Sequence, residues 1–446
     1  MHGTLESALR VEWRPFPELA AWVAQWRELA GRAVEPNIFY EPAFALAAAP
    51  VFGHDVGAGL VWSRGASPSL LGFFPARVER RRYGIALPIL VGWTHPYAPL
   101  GAPLVEPEMR AAVIEAWLDF IARDAELPKL ILLPYLPEGL LADTIDTVLS
   151  RRGGSSASFA RHARALLSPL NMRAGYLERS IHSKKRKELR RQRKRLADGG
   201  SVTSMEASAP LAVAHALEDF FALEMRGWKG CAGTAARCHD GIRRFMESAV
   251  SGLAAEGKAR ILRLCVDARA VAAIVMLRSR ATAWCWKIAY DERRARFSPG
   301  VQLILDVTER LLGDPCIERV DSCATPDHPM IDHVWRERLM LADHLICPSS
   351  AASLPFGMPC TLEGRRRSVI GLTKGGGDLL PRRSQVARVS KSSTPCGASR
   401  LLTQQPPDHL AGSGHRHLFD ECDLAGIFVR GKTHPYERLD VGGKGG

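Results

Sequence analysis

The stretch Trp284–Gly300, WCWKIAYDERRARFSPG, carries the pattern that decides the fold around it. Side chains of a β-strand point alternately to opposite faces, so Trp284, Trp286 and Tyr290 share one face of a predicted strand. We interpret this aromatic face as part of the core. Lys287 then lies on the opposite face among small residues, either as a site residue or as a solvent-facing lysine of a half-exposed sheet.

The turn Ser298–Pro299–Gly300 is predicted to open a helix. Proline suits the first helical turn, and glycine lets another group approach the backbone closely. A helix N-terminus presents unpaired N–H groups and about half a positive charge, which favours a bound pyrophosphate. We therefore predict a phosphate seat at Ser298, Gly300 and Val301, with Arg296 just before it. A structural helix cap is the alternative interpretation.

Apolar segments on both sides of this stretch predict a repeated order of elements. The strands Thr282–Tyr290 and Ile317–Cys323 flank the helix, and Asp321 lies near the end of the second strand. In the first half we predict strand, strand, helix, strand and helix at Gly57–Ser63, Ser69–Arg77, Glu106–Ala125, Lys129–Leu133 and Pro137–Ser150. The similar order in the two halves indicates a duplicated α/β unit. A last helix is predicted at His328–Leu341.

The Gly-, Ser- and Arg-rich segment Arg151–Ser156 marks a boundary between the two halves. We predict an N-terminal domain at residues 1–157 and a second domain at residues 158–346. From residue 347 onward the apolar periodicity disappears, which predicts a largely disordered tail up to residue 446. A disrupted reading frame near residue 347 would produce the same composition.

Positive charge is concentrated in one short segment. The chain has 446 residues and a net charge of +13, and Lys184–Arg195 contains nine Lys or Arg and one Glu, a net +8. Such a local excess indicates a local anionic partner. Three interpretations stay open: a solvated helix face, contact with the phosphates of a cofactor or with an anionic sugar or lipid, or RNA binding. No aromatic residue interrupts the segment, which counts against a platform for single-stranded nucleic acid. Lys184 and Arg190 are candidate substrate-binding residues.

Composition and cysteine usage exclude several classes of protein. No apolar run reaches the ~18–20 residues of a membrane-spanning helix, and Met1–Arg14 lacks the apolar stretch of a secretory signal. We therefore expect a cytoplasmic protein. The ten cysteines form no CxxC pair, and the cluster of Cys231, Cys238 and His239 lacks the second ligand pair of a structural zinc site. We expect reduced thiols and no metal.

Several separated blocks between Trp13 and Ala342 resemble the cellulose-biosynthesis CelD type of GNAT acyltransferase, and more distantly the FemAB type. In the second half the blocks are SKKRKELRRQRKRL (Ser183–Leu196), LEMRGWKG (Leu223–Gly230) with Gly233–Thr234–Ala235, KIAYDE (Lys287–Glu292) with SPG, and DSCATPDHPMIDHVW (Asp321–Trp335). In the first half they are PNIFYEPAF (Pro36–Phe44) and WTHPYAPLGAPL (Trp93–Leu104). This resemblance implies an α/β (α+β) fold of two tandem GNAT-like domains with mixed sheets.

In GNAT enzymes the acyl-CoA lies between two splayed strands, with its pyrophosphate on the intervening helix. The resemblance therefore implies acetyl-CoA or another acyl-CoA as co-substrate, bound at Lys287 and at the turn before Val301. The turn keeps only Gly300 of the usual glycines. FemAB-type relatives use aminoacyl-tRNA on the same duplicated fold, so this donor is an alternative. Those relatives often carry a long helical hairpin, which this sequence lacks.

Amide formation requires a base for the attacking amine and stabilisation of the oxyanion. Asp321 and Glu224 are candidate bases, Lys287 or strand N–H groups are candidates for the oxyanion, and Tyr290 is a candidate acid for the leaving thiolate.

Trp228 and Lys229 follow Glu224 at a helix end and are candidate substrate-binding residues, although charges near a helix terminus also have a structural interpretation. We predict an N-acyltransferase that acts on a small-molecule or saccharide amine, in polysaccharide or envelope biosynthesis. A FemAB-type transferase and a non-catalytic RNA- or anion-binding module are the alternatives.

Overall fold

Thirteen strands join into one mixed sheet in the computed structural model, which describes residues 9–168, 175–348 and 356–375. The strands are β1 (Leu9–Pro15), β2 (Val56–Ser63), β3 (Leu70–Glu79), β4 (Ile89–Gly92), β5 (Leu104–Val105), β6 (Ile131–Pro137), β7 (Ser155–Leu167), β8 (Val202–Ala207), β9 (Ala259–Val266), β10 (Arg269–Ser279), β11 (Thr282–Tyr290), β12 (Arg319–Asp321) and β13 (Glu337–Cys347).

Eleven α-helices accompany the sheet within the described residues. They are α1 (Val23–Ala30), α2 (Pro42–Phe52), α3 (Arg110–Arg123), α4 (Leu140–Arg151), α5 (Tyr176–Ser180), α6 (Ser183–Ala197), α7 (Pro210–Arg226), α8 (Trp228–Cys231), α9 (Asp240–Ala255), α10 (Pro299–Gly313) and α11 (Gly357–Gly375). Proline occupies the start of α2, α7 and α10. The N–H groups of the first helical turn have no acceptor within the helix, so the missing N–H of proline costs no hydrogen bond there.

The strand order shows a duplicated architecture. The path through the sheet is β1-β2-β3-β4-β6-β13-β7-β12-β11-β10-β9-β8, with β5 beside β3. Read from either edge, four antiparallel strands are followed by a fifth strand that is parallel to the fourth: β6 beside β4 in the first half, and β12 beside β11 in the second. The predicted α/β fold of two tandem units with mixed sheets is confirmed.

The two long strands β7 and β13 join the halves at the centre of the sheet. β13 pairs with β6 on one side and with β7 on the other, and β7 also pairs with β12. β13, the last strand among the described residues, therefore extends the sheet of the first half. β7 spans the predicted boundary at residue 157, and the division into residues 1–157 and 158–346 stays a prediction.

Three parts of the sequence-based assignment need correction. The predicted helix His328–Leu341 is wrong, because turns lead there into β13. β13 is buried from Leu341 to Cys347 between β6 and β7, which the local apolar pattern did not reveal. The helix α11 lies inside the segment that we predicted to lack regular structure, and the remainder of that tail is outside the described residues. The strands β1 and β8 and the helix α2 escaped prediction.

The core extends across both halves. Its largest cluster combines Trp26 and Trp117 of the first half with Phe245 and Trp284 of the second, all at most 2% exposed. A smaller cluster under α11 contains Leu87, Ile89 and Leu345. The buried Glu363 of α11 accepts hydrogen bonds from Arg82 and Tyr83, which ties this helix to the first half.

The loop between β4 and β5 lies against the first half's own parallel strand pair. β4 and β6 pair only at Leu90–Ile131 and Val91–Leu132, and the loop packs beside the continuation of β6. The amide of Gly101 donates to the carbonyl of Tyr135, and a Cβ on Gly101 would lie 2.0 Å from the Pro134 oxygen. The close approach of two backbones requires glycine at this position.

We expect Gly101→Ala to lower the free energy of unfolding by about 3 kcal/mol or more, since the obstructing atom is a backbone oxygen and not a flexible side chain. Chemical denaturation monitored by circular dichroism measures this change. Gly313→Ala is the matched control, because a Cβ at Gly313 meets no atom within 4 Å. Equal stability of the two variants would contradict the proposed packing of this loop.

Candidate active site

The parallel strands β11 and β12 separate soon after they pair. Their register covers only Thr282–Arg319, Ala283–Val320 and Trp284–Asp321. Beyond Trp284, β11 continues to Tyr290. After β12 the backbone turns away at Cys323, whose φ of 51° lies in the left-handed region. The candidate site residues lie on the two sides of this separation.

A β-bulge at Trp286 decides where Lys287 points. On β10, the neighbouring residues Val275 and Met276 pair with Lys287 and Cys285, so Trp286 is the extra residue. Beyond the bulge the faces are exchanged, since Ala289 packs in the same cluster as Trp284 and Trp286, whereas Ile288 packs with Cys285. The predicted alternation is therefore wrong beyond Trp286, and Lys287 lies on the face that carries the tryptophans.

Lys287 contacts the loop of the first half. Its Nζ lies 4.2 Å from the ring centroid of Tyr97 and 3.4 Å from the carbonyl oxygen of Pro96. Burial lowers the pKa of Lys287 to about 8, and the nearby charge of Lys229 acts in the same direction. At neutral pH this lysine is mainly charged and close to its titration range.

Glu224, near the end of α7, lies in the same neighbourhood as Lys287. One carboxylate oxygen accepts from Nζ of Lys229 at 2.8 Å and the other accepts from the amide of Ala236 at 2.8 Å. The residue is 8% exposed, and its charge acts on the pKa of Lys287. The structure thus brings together the predicted residues Glu224, Lys229 and Lys287. Trp228 is half-buried beside them, with its amide donating to Glu292.

Asp321 lies in a different environment from the one we expected of a base. It is 2% exposed and forms an ion pair with Arg164 of β7, and its other carboxylate oxygen accepts from the amide of Cys323 at 2.8 Å. Asp321 also lines a small cleft, together with Glu35, Trp284 and Arg319. Sequence reasoning missed Arg164 and Glu35, because nothing in the sequence signals that these distant residues approach β12.

The start of α10 lies next to Tyr290. Ser298 has a left-handed φ of 51°, Pro299 opens the helix, and the amides of Gly300 and Val301 precede the first intrahelical donor, Gln302. A Cβ on Gly300 would lie 3.3 Å from both the Tyr290 ring and the Met330 sulfur, so these two side chains pack against the turn. Tyr290 is 37% exposed, and burial raises its pKa.

The basic helix α6 packs beside α10. The Gln302 side chain donates to the carbonyl of Leu189 at 2.9 Å, and Arg193 pairs with Asp306. Six cations on the side opposite Leu189 form no ion pair within the part of the chain that the structure describes, and together they are named the basic face: Lys184, Lys187, Arg190, Arg191, Lys194 and Arg195. At 100° per residue they cover an arc of about 140° over a length of about 17 Å. Arg296, exposed in the turn before α10, stacks on the Phe297 ring at 4.6 Å.

The described residues contain no group of three or more His, Cys, Asp or Glu side chains placed to hold a metal ion. Among these same residues, no helix has both the length and the apolar composition that crossing a membrane requires.

Residues 183–328 match the family model described as acetyltransferase (GNAT) domain. The matched segment begins at α6 and includes α10 and the strand pair β11–β12. No curated protein sequence matches this chain.

Several solved structures are similar to the chain at low identity. FemX is 9% identical with a TM-score of 0.49, and the match covers 73% of this chain and 95% of FemX. A protein of unknown function from Bacteroides thetaiotaomicron is 9% identical with a TM-score of 0.46, covering 76% and 99%. The C-terminal DUF2156 domain of an Agrobacterium fabrum protein named as a lysylphosphatidylglycerol synthetase is 12% identical with a TM-score of 0.45, covering 79% and 96%.

Proposed function

We propose that this chain is an N-acyltransferase that moves an acyl group from acyl-CoA to an amine. The observation that supports this proposal is the position of Lys287 and of the start of α10, on either side of the point where β11 and β12 separate. All of these elements lie inside the segment matched by the GNAT family model. A carrier lying in this separation would have its phosphates near the amides of Gly300 and Val301, which precede the first intrahelical donor. Its acyl group would lie toward Lys287.

The side chains provide the groups that the reaction needs. The amine nitrogen attacks the thioester carbonyl carbon, and its proton passes to the Glu224 carboxylate, which keeps lone pairs beyond those that accept from Lys229 and Ala236. The Lys287 ammonium stabilises the oxyanion. The C–S bond then breaks, and Tyr290 donates a proton to the leaving thiolate.

Of the two candidate bases, Glu224 fits this role better than Asp321. Both carboxylates are paired with a cation, Asp321 with Arg164 and Glu224 with Lys229, and the Asp321 pair is the more deeply buried of the two. Glu224 shares its surroundings with Lys287, whose pKa responds to its charge.

The acceptor and the cellular role are proposed from the sequence resemblance. A small-molecule or saccharide amine is the acceptor that we propose, with Trp228 and Lys229 beside it, and polysaccharide or envelope biosynthesis in the cytoplasm is the setting. Aminoacyl-tRNA is a second candidate donor. The observation that favours it is the basic face, whose six cations exceed what the three phosphates of CoA require.

Thiol release from acetyl-CoA and longer acyl-CoAs, measured with a panel of amines, tests the proposed reaction. Transfer of a labelled amino acid from aminoacyl-tRNA to the same amines, measured in parallel, tests the second donor. Turnover with acyl-CoA supports the proposal, and turnover with aminoacyl-tRNA alone would replace the donor. Salt-sensitive RNA binding without turnover of either donor would overturn the assignment as an enzyme.

Reversing two charges of the basic face is expected to weaken donor binding. We expect Lys187→Glu combined with Arg191→Glu to raise KM for acyl-CoA by roughly tenfold with little change in kcat, because each exposed charge contact contributes up to about 1 kcal/mol. The effect should shrink as the salt concentration rises. Lys185→Glu is the control, since Lys185 lies off this face and pairs with Glu188. An unchanged KM would show that the donor does not contact the basic face.

A further inference from the structure

The lysine at the candidate site is held in place by an aromatic ring and a carbonyl. Within the described residues Lys287 forms no ion pair with a carboxylate, although the Glu224 carboxylate is near enough to act on its pKa. Both oxygens of Glu224 already accept hydrogen bonds, one from Lys229 and one from Ala236. The nearest partners of the Lys287 ammonium are the Tyr97 ring and the Pro96 carbonyl, both from the first half.

An aromatic ring and a carboxylate can both hold a cation, but they differ in how much of its positive charge remains available to a third group. A carboxylate at contact distance cancels most of the charge of the lysine, so a developing oxyanion would have to compete with it. The face of an aromatic ring attracts the ammonium through its quadrupole and leaves the full positive charge in place. The geometry at Lys287 therefore fixes the ammonium and keeps its charge available to a third group.

The loop that carries Tyr97 is anchored on both sides. The Trp286 indole donates to the Tyr97 carbonyl at 2.7 Å, and the Tyr97 ring packs against Phe245 and Phe52. Farther along the loop, the Asn37 side chain donates to the carbonyls of Leu100 and Ala102. These contacts place the ring independently of Lys287, so the ring can position the lysine rather than follow it.

We propose that Tyr97, contributed by the first half, is a positioning residue that holds the Lys287 ammonium of the second half in place for acyl transfer. This inference rests on the proposed function and deepens it, because it makes the first half a part of the reaction site. The same loop packs against the first half's own parallel strand pair through Gly101. The same loop thus packs against the parallel pair β4–β6 and supplies the ring that contacts Lys287 beside the parallel pair β11–β12.

The kinetic test compares two substitutions of Tyr97. Tyr97→Leu removes the ring face but retains bulk, and we expect kcat to fall about tenfold with KM for acyl-CoA nearly unchanged. We also expect the alkaline limb of its pH–rate profile to move to lower pH, since the ring favours the charged lysine. Tyr97→Phe retains the ring face and should rescue most of the lost kcat. Phe52→Leu is the packing control, because Phe52 contacts the Tyr97 ring and not Lys287.

A second measurement reports on Lys287 without any turnover. Competitive labelling with acetic anhydride across a range of pH, followed by peptide mass spectrometry, gives the fraction of Lys287 that is neutral. At pH 7 we expect about threefold faster labelling of Lys287 in Tyr97→Leu than in the wild type, because loss of the ring favours the neutral amine. Tyr97→Phe should label at the wild-type rate, and Phe52→Leu should change the labelling less than Tyr97→Leu because the ring face over Lys287 is retained.

The two measurements separate this inference from the proposed function. Faster labelling in Tyr97→Leu in a protein that turns over no donor would overturn the proposed function and leave the ring–lysine contact established. Unchanged labelling and unchanged kcat in an active Tyr97→Leu enzyme would overturn the positioning role alone. A Tyr97→Phe variant as deficient as Tyr97→Leu would also overturn it, since the hydroxyl and not the ring face would then be required.

Discussion

Lys287→Met is expected to lower kcat for acyl transfer by about 10²–10³-fold while the protein stays folded. The expected size of the effect is that of removing one preorganised group that stabilises an oxyanion. Because the pKa of Lys287 is lowered to about 8 by burial, the lysine is charged at neutral pH and loses its proton just above it. Wild-type activity should therefore fall as the pH rises through about 8, as measured by steady-state rates of thiol release.

Stability gives a second readout of the same lysine. The pKa of Lys287 in the folded protein is below its ordinary value of about 10.4, so between about pH 8 and pH 10 the unfolded chain binds more protons. The contribution of Lys287 to the free energy of unfolding therefore rises with pH across this window, and Lys287→Met should lack that rise. Lys185→Met, at an exposed position, is the control. Full activity of Lys287→Met would remove this lysine from the mechanism.

Arg164→Met is expected to lower the free energy of unfolding by about 3–5 kcal/mol. Side chains of Arg164 and Asp321 are 2% and 3% exposed, so removal of the arginine leaves a buried carboxylate without its partner. Denaturant titration measures the loss. Arg161→Met is the matched control, because Arg161 and Glu138 form an exposed ion pair whose loss should cost less than about 1 kcal/mol.

The same pair decides between the two candidate bases. If Asp321 only stabilises the fold, Arg164→Met combined with Asp321→Asn should recover part of the lost stability, and the activity per folded molecule should stay within a few fold of the wild type. Glu224→Gln should lose activity per folded molecule, measured alongside stability because the change also leaves the partly buried Lys229 ammonium without its carboxylate. Loss of activity in folded Asp321→Asn, with full activity in Glu224→Gln, would show that Asp321 is the base.

Much of the fold and part of the candidate site could be predicted from the sequence. Local periodicity was sufficient for β2, β3, β11 and the helices α3 and α7, because their apolar residues repeat with the period of one element. It failed for β13, which lies at the centre of the sheet between β6 and β7. The burial of β13 depends on two partners more than 150 residues earlier in the chain, which no local pattern records.

The sequence by itself determined the unequal distribution of charge, the proline-led start of α10, and the presence of Glu224, Lys229 and Lys287 in short distinctive blocks. The tertiary structure alone decided which groups meet. The bulge at Trp286 turned Lys287 toward Tyr97, and the pairing of β7 with β12 placed Arg164 on Asp321. A strand's alternation is local, but a bulge depends on the register with a neighbouring strand, and an ion pair between distant residues depends on the path of the whole chain.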